Sequence, residues 1–181
     1  MKKLSALICA LICILPCIAK EYLDVKTFEF EIKLGTTYPL QHYLGDNKLG
    51  ADMGLEARWN LKNSPIDVAA ELNLCGIHRN YEGTCMTHRL DSYMTFVDYN
   101  INRGKKVSVF FGGGVGMCQG ILLNSMYGED RATLTASPRV GVELFRHLRI
   151  TLTARFAGRV YNAMSLTFGG VIGGGLKKAK M

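Results

Sequence analysis

Three histidines, His42, His78 and His88, fall in polar stretches of the 181-residue chain, with Asp91, Ser92 and Ser125 near two of them. Hydroxyl, imidazole and carboxylate are the parts of a nucleophilic acyl-transfer site, in which imidazole takes the serine proton and the carboxylate orients the ring. Such a site is defined by geometry, and the spacing here specifies no hydrogen-bond chain, so solvated loop residues explain the same six side chains. His147, at a tight corner, reads as an interfacial residue. Cys75, Cys85 and Cys118 lack metal-ligand spacing, and neither a metal nor a cofactor is expected. Cys75 and Cys85 flank a long polar link whose base a disulfide would close, with Cys118 a rival partner. Gly112-Gly-Gly114 and Gly173-Gly-Gly175 lack the lysine and the strand-to-helix context of a phosphate loop, and suit a tightly curved sheet better.

The elements that must position these residues are β-strands. In Gly50-Ala-Asp-Met-Gly-Leu-Glu-Ala-Arg-Trp-Asn-Leu61 the apolar residues Ala51, Met53, Leu55, Ala57, Trp59 and Leu61 alternate with charge, amide or glycine, a period of two. The same alternation predicts strands near 27–38, 50–61, 66–76, 90–102, 107–117, 139–144, 148–156 and 164–172. Tight turns at 62–65, 103–106 and 146–147 alternate with longer links near 39–48, 77–90, 119–134 and 157–163. Eight strands joined alternately by short and long connections predict an all-β, antiparallel up-and-down barrel with the long loops at one rim.

The N-terminus has the form of an export signal over residues 1–19: basic Met1-Lys2-Lys3, an apolar run Leu4 to Ile14, and Cys17-Ile18-Ala19 before Lys20. The barrel domain is then 20–181. The run is short for a membrane helix, and Pro16 does not suit lipidation at Cys17. The formal charge of +7 includes Lys2 and Lys3 and a tail of Lys177, Lys178 and Lys180. A basic tail without interleaved aromatics or a recognition motif does not predict nucleic-acid binding.

One face of the strands collects Glu29, Glu31, Lys33, Asp52, Glu56, Arg58, Asp67, Glu71, Asp98, Arg139, Glu143, Arg149 and Arg155. In a soluble barrel that binds an apolar ligand, this set would face water. In a transmembrane barrel it would fill the lumen as an ion-pair network. Glycine shares the polar face at 112, 114, 116, 141 and 169, where a narrow lumen needs small residues beside long ones. Trp59, Tyr99 and Phe145 stand near the short turns, as aromatic rings do at a bilayer interface. Both features favour the membrane reading, with Met53, Leu55 and Ala57 toward lipid. Eight strands leave room for side chains rather than a pore.

Ala136-Ser-Pro-Arg-Val-Gly-Val-Glu-Leu-Phe145, Arg146-His-Leu-Arg-Ile150 and Leu166-Thr-Phe-Gly-Gly-Val-Ile-Gly-Gly-Gly175 with the lysine tail resemble the small outer-membrane β-barrels of Gram-negative bacteria. The wider group includes the OmpA transmembrane domain and OmpX. The resemblance implies an integral eight-stranded barrel in the outer membrane, assembled by the barrel-assembly machinery and surrounded by outer-membrane lipid, but no shared activity. A non-enzymatic structural or adhesive role, with loops 77–90 and 119–134 offered to an extracellular ligand, is the leading expectation. Some such barrels modify lipid A, which makes an acyl hydrolase or transferase built on the loop histidines the alternative. Many of them end on an aromatic residue that the assembly machinery reads, whereas this sequence ends Lys-Lys-Ala-Lys-Met, so Phe168 and Ile172 or another signal must serve.

Overall fold

The computed structural model describes residues 25–40, 46–81, 84–122, 131–158, 161–173 and 175–176. The segment 1–19 lies outside them. Strands β1 (Phe28–Pro39), β2 (Asp46–Lys48), β3 (Gly50–Asn60), β4 (Ile66–Tyr81), β5 (Thr84–Ile101), β6 (Val107–Leu122), β7 (Arg131–Leu144), β8 (Leu148–Arg155) and β9 (Ala163–Ile172) are all antiparallel, and no helix occurs among the described residues. β2 continues β3 past Leu49. Lys48 pairs with His78 while Met53 pairs with Leu74, which places one extra residue on the β2–β3 side, a bulge. The barrel therefore has eight staves.

Closure is made by β1, which pairs with β3 on one side and β9 on the other; Phe30 faces Ala57 and Ile172. No lateral edge remains in the body of the sheet, so every strand finds backbone partners on both sides without water. Along the belt most apolar strand residues face outward, with Ala69, Met94, Phe96 and Phe110 among the inward ones. β3 shows this in full, with Asp52, Glu56 and Arg58 buried and Met53, Leu55 and Trp59 exposed. The exposed apolar surface from Met53 to Leu61 has the length of a transmembrane strand, about 9–11 residues.

The short turns gather at one rim. There Trp59 meets Phe28 edge-on at 5.4 Å between centroids, Tyr99 lies 5.4 Å from Phe111, and Phe145 is exposed at the β7–β8 corner. Three residues, 145–147, join Leu144 to its partner Leu148, and the first two are left-handed, Phe145 (φ 54°) and Arg146 (φ 66°), a twist that suits a tight hairpin. Arg146 Nε donates to the Gly104 carbonyl at 2.7 Å and braces this corner on the neighbouring β5–β6 turn.

The opposite rim differs from expectation. Residues 77–81 and 84–90 of the stretch read as a loop are strand, with 82–83 outside the described residues, and β6 and β7 extend to Leu122 and from Arg131 into the 119–134 link. The remainder of that link, 123–130, and residues 41–45 of the first long link lie outside the described residues. β4, β5, β6 and β7 thus make a wall that rises above β8, β9 and β1.

Candidate functional site

The lumen is lined by the charged set. Glu29, Glu31, Lys33, Asp52, Glu56, Arg58, Asp67, Glu71, Asp98, Arg139, Arg149 and Arg155 are buried, and Glu143 is half-buried at the turn rim. Arg139 of β7 is the hub. It donates to Glu56 at 2.6 and 3.1 Å and to Asp98 at 2.9 Å, with Glu71 3.5 Å away. Lys33 reaches Glu56 at 2.6 Å and also pairs with Glu71. Arg58 pairs with Glu56 and faces Glu31, Glu29 and Asp67 at 3.4–3.7 Å. Arg149 joins Glu143 to Glu31, and Arg155 binds Asp52 at 3.1 Å. Each charge thus sits against an opposite one, which burial in a medium without water demands.

Two inward phenylalanines partition this network. The Arg139 guanidinium lies 3.8 Å from the Phe96 ring centroid, and that of Arg149 4.7 Å from the Phe110 centroid. The lumen glycines make room for these rings. A Cβ at Gly114 would overlap Phe96, one at Gly141 would overlap Phe110, and one at Gly112 would strike the Asp98 carboxylate. At the turn rim a void of about 10 Å³ lies among Glu29, Asn60, Asp67, Asn100, Arg103 and Glu143. It is the size of one water molecule.

Above Leu74 the alternation inverts. Along β4 the inward series Asp67, Glu71, Asn73 gives way to Cys75 and Ile77, while the outward series Ala70, Leu72, Leu74 gives way to Gly76 and His78. β5 changes in the same place, with Leu90 turned inward and Asp91 and Arg89 outward. Cys75, Ile77, Leu90, Cys118, Ala157 and Ala163 form a buried apolar cluster, and Tyr161 packs against it. The barrel is inside-out along its apolar belt and has the ordinary greasy-in arrangement above it. Only water around the upper wall and hydrocarbon around the belt satisfy both halves.

Among the described side chains, the candidate catalytic residues His78, Asp91 and Ser92 are not brought together. Ser92 is buried on the lumen side, opposite Asn73. Asp91 turns outward and is held by Arg89 through two hydrogen bonds of 2.7 and 2.8 Å. His78 also lies on the outer face, its Nδ1 3.0 Å from Thr87 Oγ1. Five residue steps of strand separate Thr87 from Ser92, roughly 17 Å at about 3.3 Å per step. His88 lies in β5 opposite Ile77 and Leu122; His42 and Ser125 lie outside the described residues. His147 sits at the β7–β8 corner, where its amide donates to Leu144 O.

The expected Cys75–Cys85 disulfide does not form. Cys75 is free and buried, with Leu90 as its register partner, whereas Cys85 pairs with Asn80. Because the link is a hairpin and not a loop, the two cysteines are separated along it by five residue steps, far beyond the roughly 7 Å Cα limit of a disulfide. Cys118 is free as well.

No family model matches the chain, and no curated protein matches it in sequence. Solved structures do. Neisserial surface protein A superposes with a TM-score of 0.62 at 10% identity, covering 83% of this chain and 99% of its own. The N-terminal β-barrel domain of Pseudomonas aeruginosa OprF gives 0.53 at 13% identity, covering 82% and 100%. The Yersinia pestis outer membrane protein Ail in a phospholipid bilayer nanodisc gives 0.51 at 15% identity, covering 80% and 99%. The fold is that of the small eight-stranded outer-membrane barrels.

Within such a barrel, some lumen partners escaped the sequence reading. Asn73 donates to Asp52 at 2.6 Å, Asn100 to Asp67 at 2.8 Å and Ser165 to Asp52 at 2.5 Å. Strand parity alone would have found them, since each shares its phase with the charged residues. Arg103 is different. It caps the turn rim from outside the strands by donating to the Leu61 and Ser64 carbonyls, and no periodicity marks a turn residue. A soluble barrel that takes an apolar ligand in its lumen is overturned by the observed faces, because the lumen belt holds charges and the outer belt is apolar.

Proposed function

We propose that this protein is a non-enzymatic integral barrel of a Gram-negative outer membrane, exported by the segment 1–19 and inserted by the barrel-assembly machinery. Its role is structural and adhesive: the belt anchors it, and the β4–β7 wall presents a polar surface to extracellular partners. The inversion of facing between Leu74 and Gly76 carries this reading, because it marks where hydrocarbon ends and water begins. The fold neighbours named a surface protein and an outer membrane protein in a bilayer support the same location. The packed ion pairs and the one-water void support a closed lumen. Rigid scaffolds commonly carry recognition on the segments that project from them.

The test is fractionation with surface labelling. A Thr87→Cys variant in a Cys85→Ser background is expected in the outer-membrane fraction, heat-modifiable on gels, and labelled on intact cells by an impermeant maleimide. Recovery in the soluble periplasm would overturn the location, and a changed lipid A mass on expression would overturn the non-enzymatic role.

A further inference from the structure

From the charge gathered at the turn rim we infer a docking face for a carboxylate-bearing polymer on the periplasmic side, the peptidoglycan layer beneath the outer membrane. The face lies at the opposite end from the projecting wall assigned to adhesion, and it rests on the placement of the barrel in that membrane.

The charge of residues 20–181 is sorted by place. The lumen set holds eight carboxylates against five cations. The strand ends and long links of the wall end, residues 39–48, 77–91, 119–134 and 157–163, hold five acidic and five basic side chains. The turns and chain ends of the other rim, residues 20–27, 62–65, 102–106, 145–147 and 173–181, hold ten basic side chains and two acidic ones, Glu21 and Asp24. The net positive charge of residues 20–181 therefore lies entirely at the turn rim.

The fold presents this excess to the outside. Lys26, Lys62, Lys105 and Lys106 are exposed, and none of them pairs with a carboxylate among the described residues. The carboxylates at this end of the lumen are engaged from within, Glu143 by Arg149 and Glu29 and Asp67 by Arg58. Arg103 of the β5–β6 turn bonds the Leu61 and Ser64 carbonyls of the β3–β4 turn, and Arg146 of the β7–β8 corner bonds Gly104 O. Three turns are thereby tied into one fixed array. The chain ends join it, because Val25 bridges Leu176 and Lys26 N donates to Gly175 O at 3.0 Å, and Lys177, Lys178 and Lys180 follow from there in sequence.

The form of the patch selects its partner. The exposed lysines stand on separate turns around a mouth whose void holds one water, too little for an anionic ligand. Scattered point charges suit a partner that carries scattered charge itself and gains from several weak contacts at once. The end face looks along the barrel axis, away from the bilayer. Headgroups of the adjoining leaflet reach its perimeter, whereas a layer lying beneath the membrane covers all of it. Peptidoglycan is such a layer, and the free carboxylates of its stem peptides supply the opposite charge. Attraction of this kind acts at a distance in low salt and is screened in high salt.

The experiment sediments the full mature barrel, in phosphatidylcholine nanodiscs, with purified peptidoglycan sacculi and measures the bound fraction. Wild type is expected to bind at about 0.1 M salt and to be released at about 1 M, as the screening length falls from about 10 to about 3 Å. Lys62→Gln/Lys105→Gln/Lys106→Gln removes three exposed cations whose side chains hold no bond to the described residues. It is expected to stay heat-modifiable and to bind about tenfold or more weakly, as are sacculi whose carboxylates have been amidated to bind wild type. Lys48→Gln/Arg89→Gln, at the wall end, is expected to bind as wild type does. Equal binding of native and amidated sacculi, equal binding by the rim variant and wild type, or loss of binding in the wall-end variant overturns the inference. So does capture by phosphatidylglycerol vesicles that persists at a salt concentration stripping the barrel from sacculi, by giving the rim to lipid. Recovery of the protein in the soluble periplasm fails the location, whereas a membrane-fraction barrel indifferent to sacculi fails this inference alone.

Discussion

Arg139 and Phe96 stack inside the barrel, guanidinium over ring at 3.8 Å, while the same arginine binds Glu56 and Asp98. One face of the cation is thus covered by a quadrupole and its edge by two carboxylates, a set of partners that takes the place of water. Removing the cation leaves Glu56 and Asp98 close together with one charge fewer between them. Arg139→Ala is expected to cost about 3–5 kcal/mol, the scale for breaking a buried pair from one side. Urea unfolding from vesicles measures it. Arg139→Met/Asp98→Asn removes one charge of each sign, leaves Glu56 paired with Lys33 and Arg58, and is expected to lose much less than the single change.

The rings also set what their neighbours are allowed to be. A Cβ at Gly141 would overlap Phe110, and Phe110 in turn lies under Arg149. Gly141→Val is expected to cost about 1–3 kcal/mol by overpacking. A Phe110→Leu change in the same chain should recover part of the loss, and a double-mutant cycle of midpoints in urea reads the coupling. Additive losses would show that the ring and the glycine do not share space.

The inversion above Leu74 makes a prediction about depth. Ala70 faces outward at the middle of the belt, whereas Thr87 faces outward on the projecting wall, bonded to His78. Ala70→Arg is expected to cost roughly 2–4 kcal/mol, as cations do on the lipid face near the midplane. Thr87→Arg should stay within about 1 kcal/mol, the range of surface changes. Ile77→Ala, on the inner side of the wall, should cost about 2–5 kcal/mol as a core truncation does, although its strand neighbours below in the lumen are polar.

How much of this was legible beforehand follows from the same inversion. Within the belt one rule, apolar out and polar in, holds from Phe28 to Ile172 with exceptions that include Ala69, Met94, Phe96 and Phe110, and parity then places Glu56, Arg58 and Arg139 on one face without knowledge of the fold. Above Leu74 the rule reverses over a few residues. Residues from Ile77 onward then read as an unpatterned stretch, so the hairpin looked like a loop and the cysteines like its clasp. Ion-pair partners were also out of reach. Arg139 and Glu56 are far apart in sequence, on strands that do not pair, and meet only across the lumen. Closure through the β1–β9 ladder brings such residues face to face, and alternation says nothing about which charge meets which.

The cysteines give the most direct chemical check on the projecting hairpin. Cys75 and Cys118 are buried in the apolar cluster at the top of the lumen, each free, and the β4–β5 register places Cys85 opposite Asn80 rather than near Cys75. In a Cys85→Ser background the folded barrel is therefore expected to take up no impermeant maleimide, and the urea-unfolded chain to take up two. A Cys118→Ser variant keeps Cys75 and Cys85 together, and its gel mobility should be the same with and without reductant. A faster non-reduced band, with a tryptic fragment joining the two cysteines, would mean that the upper ends of β4 and β5 do not hold this register. Disulfide geometry needs Cα atoms within roughly 7 Å, and a hairpin paired as Cys75 to Leu90 and Asn80 to Cys85 cannot supply that without unzipping.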